Sequence, residues 1–92
     1  MYINPDFARP ILNLANSLTK HNVPHTINVN HDGLQIRFPW SNGDFICHSG
    51  SYGHEHGYVE SMNCPWDGGD VTTLEVEDAL KNTVKWYNEI QK

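Results

Sequence analysis

The residues most able to do chemistry lie close together in the middle of the chain. Two cysteines and three histidines fall within eighteen residues: Cys47, His48, His54, His56 and Cys64. Thiolate sulfur and neutral imidazole nitrogen are the ligands that Zn²⁺ prefers, and four of them in a tetrahedron form a structural site. We therefore predict one structural zinc ion bound by this segment.

The spacing favours some of these ligands over others. Cys47 and His48 are neighbours on a predicted strand, so their side chains point to opposite faces and do not easily bind one ion. His54 and His56 lie two residues apart in a glycine-rich loop and share a face if that segment is extended. In a plain hairpin Cys64 lies about 16 Å from Cys47, so the chain must bend back there. The favoured set is Cys47, His54, His56 and Cys64, with His48 as the substitute.

Other chemistries use the same residues. The two cysteines are also compatible with a disulfide or with two inert buried thiols. A small zinc hydrolase would use Glu55 or Asp67 as the base beside metal-bound water, although the zinc deaminase and metalloprotease patterns are absent. A cysteine nucleophile, Cys47 with His48 or His54 as its base, would lack the positive charge that stabilises a thiolate.

The charge distribution points to the class of partner. The chain has 92 residues, six Lys and Arg, and a net charge of −5. This balance argues against direct nucleic-acid binding, which needs clustered positive charge. Positions 38–80 contain no Lys or Arg but eight carboxylates: Asp44, Glu55, Glu60, Asp67, Asp70, Glu75, Glu77 and Asp78. A solvated face with helix-start acids explains such a run, and so does docking onto a basic partner.

Hydrophobic periodicity predicts the fold. An apolar stripe at three- and four-residue spacing predicts an N-terminal helix that begins near Asp6 or at Arg9, with Pro10 in its first turn and Asn22 as its left-handed cap. Alternating segments around 27–29, 34–38, 45–48 and 58–62 predict four strands, with turns at Asp32-Gly33 and Asn42-Gly43. The sequence thus predicts one α+β domain over residues 1–92, an antiparallel four-stranded β-meander flanked by an N-terminal and a C-terminal helix.

The C-terminal helix carries the most conspicuous tryptophan. Thr72 and Glu75 resemble a capping box at its start. Its apolar stripe is predicted to be Val76, Leu80, Val84, Tyr87 and Ile90. Trp86 lies off that stripe, and an off-stripe tryptophan beside an acidic surface is typical of an interface anchor.

Three short segments carry a resemblance to a known group of proteins. They are Phe38-Pro39-Trp40, Asn42-Gly43-Asp44 and Cys64-Pro65-Trp66-Asp67. Together with the small acidic domain and the Cys/His cluster, they resemble accessory proteins of bacteriophages and prophages, in particular a metal-binding member of the type II-A anti-CRISPR inhibitors.

The resemblance implies a non-enzymatic inhibitor that binds a bacterial type II CRISPR endonuclease and blocks its engagement of target DNA. Such nucleases line their nucleic-acid channels with Lys and Arg, which a carboxylate patch can occupy. The expected partner-binding residues are Glu55, Glu60, Asp67, Asp70, Glu77, Asp78 and Trp86. The alternative is a phage accessory protein with a structural metal site.

The expected location follows from what the chain lacks. It has no apolar segment behind a basic N-terminus and no run of eighteen apolar residues. We therefore expect no membrane contact and a cytoplasmic location, in the host bacterial cell if the resemblance holds.

Overall fold

The computed structural model describes residues 2–92, which form two helices on one face of an antiparallel sheet. The elements are α1 (Pro5–Lys20), β1 (Thr26–Asn30), β2 (Gly33–Arg37), β3 (Asp44–Cys47), a 3₁₀ turn (His54–His56), β4 (Val59–Met62), β5 (Val71–Leu74) and α2 (Val76–Ile90). The strands lie in chain order, β1-β2-β3-β4-β5. The predicted α+β class and antiparallel meander are confirmed, but the sheet has five strands where four were predicted.

The additional strand is β5, which pairs antiparallel with β4 from Val59↔Leu74 to Met62↔Val71. Strand β5 contains Thr72, which the capping-box prediction placed at the start of the C-terminal helix. That prediction is wrong, because Thr72 lies within β5 and the N-cap residue Glu75 makes no side-chain capping bond. The three successive β-branched residues Val71, Thr72 and Thr73 favour a strand over a helix, and pairing with β4 stabilises that strand.

Helix α1 begins at Pro5, one residue from the predicted start near Asp6, and continues through Pro10. The Asn4 side chain caps the helix by accepting a hydrogen bond from the Asp6 N–H at 2.9 Å. Pro10 lies inside the helix and not in its first turn, and its ring is buried. The C-terminal prediction is confirmed, because Asn22 has φ 58° and the Val23 N–H bonds back to the Leu18 carbonyl.

The core lies between the helices and one face of the sheet. Successive partners Leu34, Cys47, Val59 and Leu74 form one row across this face, and Ile36, Phe45, Ser61 and Thr72 form the next. Buried side chains of α1 cover these rows: Ala8, Ile11, Leu14, Ala15 and Leu18. The α1 stripe is thus the one that the 3.6-residue period predicts.

The first hairpin turn is displaced by one residue from its predicted position. Asn30 pairs with Gly33, so His31 and Asp32 form the turn, and the positive φ belongs to His31 at 54°. Gly33 is required for another reason. A Cβ at this position would overlap the carbonyl oxygen of Cys47 on the neighbouring strand.

Neither described helix has the length and hydropathy that a membrane span requires.

Candidate functional site

One end of the sheet brings together most of the histidines. The turn at His31-Asp32, the end of β3 and the loop 48–58 meet there, because adjacent antiparallel strands reverse direction. Asp32 joins them: its carboxylate accepts a hydrogen bond from the Ser49 N–H at 2.9 Å, and its carbonyl accepts one from the Asn4 N–H at 2.7 Å. The Ser49 bond is the main reason why the pKa of Asp32 lies below its usual value.

Of the three predicted histidine ligands of this loop, His48 has partners of its own, whereas His54 and His56 both lie beside Glu55. The His48 ring lies 4.7 Å from the His31 ring, and its Nδ1 accepts a hydrogen bond from the Gly50 N–H at 2.9 Å. The His54 ring packs edge-on against Phe7, and its Nδ1 lies 2.6 Å from the Ser51 carbonyl oxygen. His56 is exposed. Burial, assisted by the neighbouring His31, lowers the pKa of His48 and favours its neutral form.

Cys47 points away from these histidines into the core. Its side chain is fully buried in the row that contains Leu34 and Val59. Burial raises the pKa of the Cys47 thiol to about 11. The prediction that Cys47 and His48 point to opposite faces of the strand is therefore confirmed. The thiol lies in the core beneath the helices, and the imidazole lies on the other side of the strand.

Cys64 lies at the opposite end of the β3–β4 pair. Its sulfur is near the carbonyl oxygens of Met62 at 3.6 Å and Asp44 at 4.0 Å. Asp44 begins β3, whereas Cys47 ends it. Burial first, and then the nearby Asp67 carboxylate, raises the pKa of the Cys64 thiol to about 12. Both cysteines are free.

The five predicted ligands do not form one set in this structure. Within residues 2–92, no group of three or more His, Cys, Asp and Glu side chains is arranged to hold a metal ion. The two thiols face the interior at opposite ends of the strands, and the histidine rings lie on the outside. The residues present do not fit the four-ligand zinc site that their spacing predicted.

The catalytic alternatives also lack their geometry. Cys47 is a protonated, buried thiol on the opposite side of the strand from His48, so it has no base beside it. Glu55 lies exposed between two histidines, with its carboxylate oxygens 3.2 Å from His54 Nδ1 and 3.7 Å from His56 Nε2. Asp67 is bound within a turn.

Two carboxylates predicted to contact a partner are instead buried. Asp67 is 7% exposed; its oxygens accept hydrogen bonds from the Ser61 hydroxyl at 2.7 Å and the Cys64 N–H at 2.8 Å. Glu60 is also 7% exposed and accepts a hydrogen bond from the Tyr52 N–H. Each of these two carboxylates satisfies polar groups of its own chain, and their contact with a partner stays a prediction.

Trp86 packs against the core and does not stand apart from it. Its ring contacts those of Trp40 at 4.6 Å, Trp66 at 5.6 Å and Phe38 at 6.0 Å. The predicted stripe is confirmed in part, because Val76, Leu80, Val84 and Tyr87 pack against the core, whereas Ile90 is exposed. The prediction omitted Ala79 and Thr83, which are the two buried residues of α2. Ala79, Thr83 and Trp86 follow the spacing i, i+4, i+7, which places all three on one helix face.

Of the nine remaining carboxylates, Asp32 lies in the β1–β2 turn and Glu89 near the C-terminal end of α2, and the other seven divide between the two ends of the sheet. Five exposed residues lie at the end where both helices begin and the loop 48–58 folds over: Asp6, Glu55, Glu75, Glu77 and Asp78. We call these five residues the acidic end. Contacts connect its parts, since Phe7 packs on His54 and Gly53 lies against Thr73 just before Glu75. Asp44 and Asp70 lie at the other end of the strands.

The basic residues concentrate away from the acidic end. Arg9 forms an ion pair with Asp6 at 3.6 Å, on the second turn of α1. The last turn of α1 carries Lys20, and Arg37 ends β2. The lining of a surface cavity of about 560 Å³ between the helices includes three lysines, His21 and one carboxylate: Lys81, Lys85, Lys92, His21 and Glu89. The domain is therefore electrically polar along its strands.

Sequence reasoning missed the part played by His31 and Asp32. Asp32 was predicted only to be part of a turn and His31 was given no role, yet together they join α1, β1 and the loop after β3. The sequence does show a polar turn before β2 and a loop rich in Ser, Gly and His after β3. The two segments meet only because β2 pairs with β3, and this pairing is a property of the tertiary structure. A comparison of the chain with protein families, curated proteins and solved structures finds no match.

Proposed function

We propose that this chain is a non-enzymatic binding protein that uses its acidic end to dock on a basic surface of a partner protein. The observation that carries this proposal is the gathering of five exposed carboxylates at one end, where Arg9 is the only Lys or Arg of residues 2–92 that is paired to any of them. Charges arranged in this way steer association with a surface of opposite sign.

Part of the acidic end has a structural role as well. Asp6 lies in the first turn of α1, and Glu77 and Asp78 lie in the first turn of α2. Carboxylates at these positions interact favourably with the helix dipoles. Glu55 lies in the 3₁₀ turn and not at the start of an α-helix. Both α-helices begin at the same end of the sheet, which places both acidic first turns on the same side of the molecule. Helix stability alone does not require that arrangement.

The proposed partner is a bacterial type II CRISPR endonuclease, which the resemblance suggests. The channels in which such a nuclease holds guide and target strands are lined by Lys and Arg. An acidic end docked there would compete with DNA phosphates and block target engagement without any covalent step. Zinc plays no part in this proposal, because the residues of 47–64 do not form a ligand set.

The test is DNA cleavage by a guide-loaded type II nuclease, with the purified protein titrated in. We expect inhibition that weakens at least tenfold in the Glu55→Lys and Glu77→Lys variants. Asp70→Lys is the matched control, since it makes the same charge change at an exposed position at the other end of the sheet. Each variant must first give an unchanged circular dichroism spectrum.

Two outcomes would contradict the proposal. Equal loss of inhibition in Asp70→Lys and Glu77→Lys would mean that net charge, and not the acidic end, determines binding. Undiminished cleavage at a large molar excess, with several type II nucleases, would remove this class of partner.

A further inference from the structure

Strand β1 is an outer edge of the sheet that carries none of the usual protection. Within residues 2–92 the sheet order leaves it without a neighbour on one side, and its pairing with β2 is continuous from Thr26↔Arg37 to Asn30↔Gly33, with no bulge. Its sequence, Thr-Ile-Asn-Val-Asn, contains no charge and no proline. Natural proteins commonly use charges, prolines, bulges or covering loops to prevent pairing at such edges.

The other edge of the sheet differs. Strand β5 has four residues, is preceded by Asp70 and leads directly through Glu75 into α2. A carboxylate thus flanks each end of the short strand, which is one of the ways in which proteins discourage pairing at an edge. The contrast makes β1 the edge that is available for another strand.

Strand β1 also exposes apolar side chains on the face that the helices cover elsewhere. Ile27 is 42% exposed and Val29 is 49% exposed, although their neighbours in β2, Ile36 and Leu34, are buried. Helix α1 packs on β2 and β3, so the apolar surface of the sheet extends one strand beyond its cover. A strand added at this edge would continue the same apolar row.

We infer that β1 pairs antiparallel with β1 of a second copy of this chain, about a two-fold axis at Asn28. The closing pair of a two-residue hairpin, here Asn30 and Gly33, exchanges both backbone hydrogen bonds. Alternation then directs the backbone groups of Thr26 and Asn28 towards β2 and leaves those of Ile27 and Val29 pointing outward.

The register about Asn28 is self-complementary. It places Ile27 opposite Val29 of the second copy, and Val29 opposite Ile27 of the second copy. The outward-pointing backbone N–H and C=O groups of one strand then face those of the other and can form hydrogen bonds. The same pairs bring apolar side chains together on the helix-covered face. Two copies of Asn28 meet on the opposite face. The interface is isologous, and it joins two five-stranded sheets into one.

Charge complementarity supports a second copy over another occupant. Each chain carries a net charge of −5, so two copies repel unless their charges are arranged to avoid it. Antiparallel pairing of β1 sets the end of one copy that carries Asp6 and Asp32 beside the end of the other that carries Lys20 and Arg37. The uncharged strand itself places no like charges opposite each other.

Sedimentation velocity from about 5 µM to about 1 mM tests the dimer, since a single strand pair makes a small interface of modest affinity. We expect a concentration-dependent dimer whose dissociation constant rises at least tenfold in Val29→Lys. Met62→Lys is the matched control: Met62 is 43% exposed on β4, inside the sheet, and its replacement should leave the dimer unchanged.

Crosslinking tests the register. Asn28→Cys should form an intermolecular disulfide under mild oxidation, because the two residues at the axis oppose each other directly. Thr73→Cys, on the opposite edge strand, should crosslink much more slowly, and the buried native cysteines add little background. A chain that stays monomeric at about 1 mM, or crosslinking that is equal at positions 28 and 73, would overturn the inference.

Discussion

The chemistry of individual side chains in this protein is set by where they are buried. Cys47 and Cys64 have the residue type of metal ligands or nucleophiles, but both thiols lie inside the domain and hold their protons far above neutral pH. Asp67 has the residue type of a surface acid or a general base, yet it bonds the Ser61 hydroxyl and the Cys64 N–H. In each case the environment, and not the residue type, decides the role.

The buried thiols predict a loss of stability in alkali. In the unfolded chain each thiol ionises near its ordinary pKa of 9.0, whereas the folded values are about 11 and about 12. The stability that the protonated thiols contribute is therefore fully present below pH 9. Above pH 9, ionisation of each thiol in the unfolded chain lowers the unfolding free energy by up to ~1.4 kcal/mol per pH unit.

Urea denaturation between pH 8 and pH 10.5 measures this slope. The Cys47→Ala, Cys64→Ala double variant is the control, because other alkaline titrations are common to both proteins. Its unfolding free energy should fall less steeply with pH. Parallel pH profiles for the two proteins would show that the thiols do not keep their protons on folding.

Asp67 should matter to stability far more than its neighbour in the sequence. Replacing Asp67 with Ala leaves the Cys64 N–H and the Ser61 hydroxyl without their acceptor in a buried turn, at a cost of about 3 kcal/mol. The Asp70→Ala variant, at an exposed position, should change the unfolding free energy by less than about 0.5 kcal/mol. Chemical denaturation measures both, and similar values would contradict the burial of Asp67.

At the scale of elements, one face of helix α2 packs on α1 and the sheet near its start and on aromatic rings nearer its end. Ala79 and Thr83 lie fully buried against α1 and the sheet, and Trp86 continues the same face into a cluster of aromatic rings. The Thr83 hydroxyl is the one buried side-chain oxygen or nitrogen in residues 2–92 without a hydrogen-bond partner. An unpaired hydroxyl at this position weakens an otherwise apolar contact.

Replacing Thr83 with Val should therefore stabilise the protein. Valine has nearly the same shape and removes the unpaired hydroxyl, so we expect the unfolding free energy to rise by about 1 kcal/mol. Thr73→Val, at an exposed position on β5, makes the same chemical change where water satisfies the hydroxyl and should have little effect. A loss of stability in Thr83→Val would mean that the hydroxyl has a partner in solution.

At the scale of the whole molecule, the helices and the sheet close one apolar core. Thirteen buried hydrophobic residues form this core, and the cysteine in it, Cys47, packs as an apolar side chain. We therefore expect the chain to fold cooperatively, with an unchanged melting temperature, in the presence of a strong chelator.

Elemental analysis of protein made without a histidine tag completes that experiment. The sequence prediction of one zinc ion per chain remains open to this measurement. Stoichiometric zinc, together with a melting temperature that falls on chelation, would mean that the loop 48–58 rearranges to assemble a site. Such a result would contradict the metal-free folding that we expect.

The same scale explains the electrical polarity of the domain. Both helices begin at the end of the sheet to which the loop 48–58 belongs, so the acids of two first turns and of that loop meet there. The long run of positions 38–80 without Lys or Arg does not form one surface. Asp44 and Asp70 lie at one end of the sheet, and Glu60 and Asp67 are buried. The other four carboxylates of this run lie at the opposite end: Glu55, Glu75, Glu77 and Asp78.

The sequence by itself determined the features that depend on neighbours along the chain. The period of the α1 stripe, the left-handed cap at Asn22 and the alternation of β2 follow from local conformational preference and hydrophobic pattern, and the structure has them as predicted. The prediction failed at β5 because the run Val71–Leu74 and the helix start after it compete for the same residues, and pairing with β4 decides between them.

Only the tertiary structure decided the features that depend on register and on cover. Cys47 and Cys64 lie at opposite ends of two paired strands, and that separation depends on how far β3 and β4 extend before the chain turns. The burial of Asp67 and the packing of Trp86 against the core depend on the distant segments that contact them. Spacing along the chain limits which residues can meet, but the partner strand and the covering helix determine which of them do, because contacts between distant segments form only when the whole core closes.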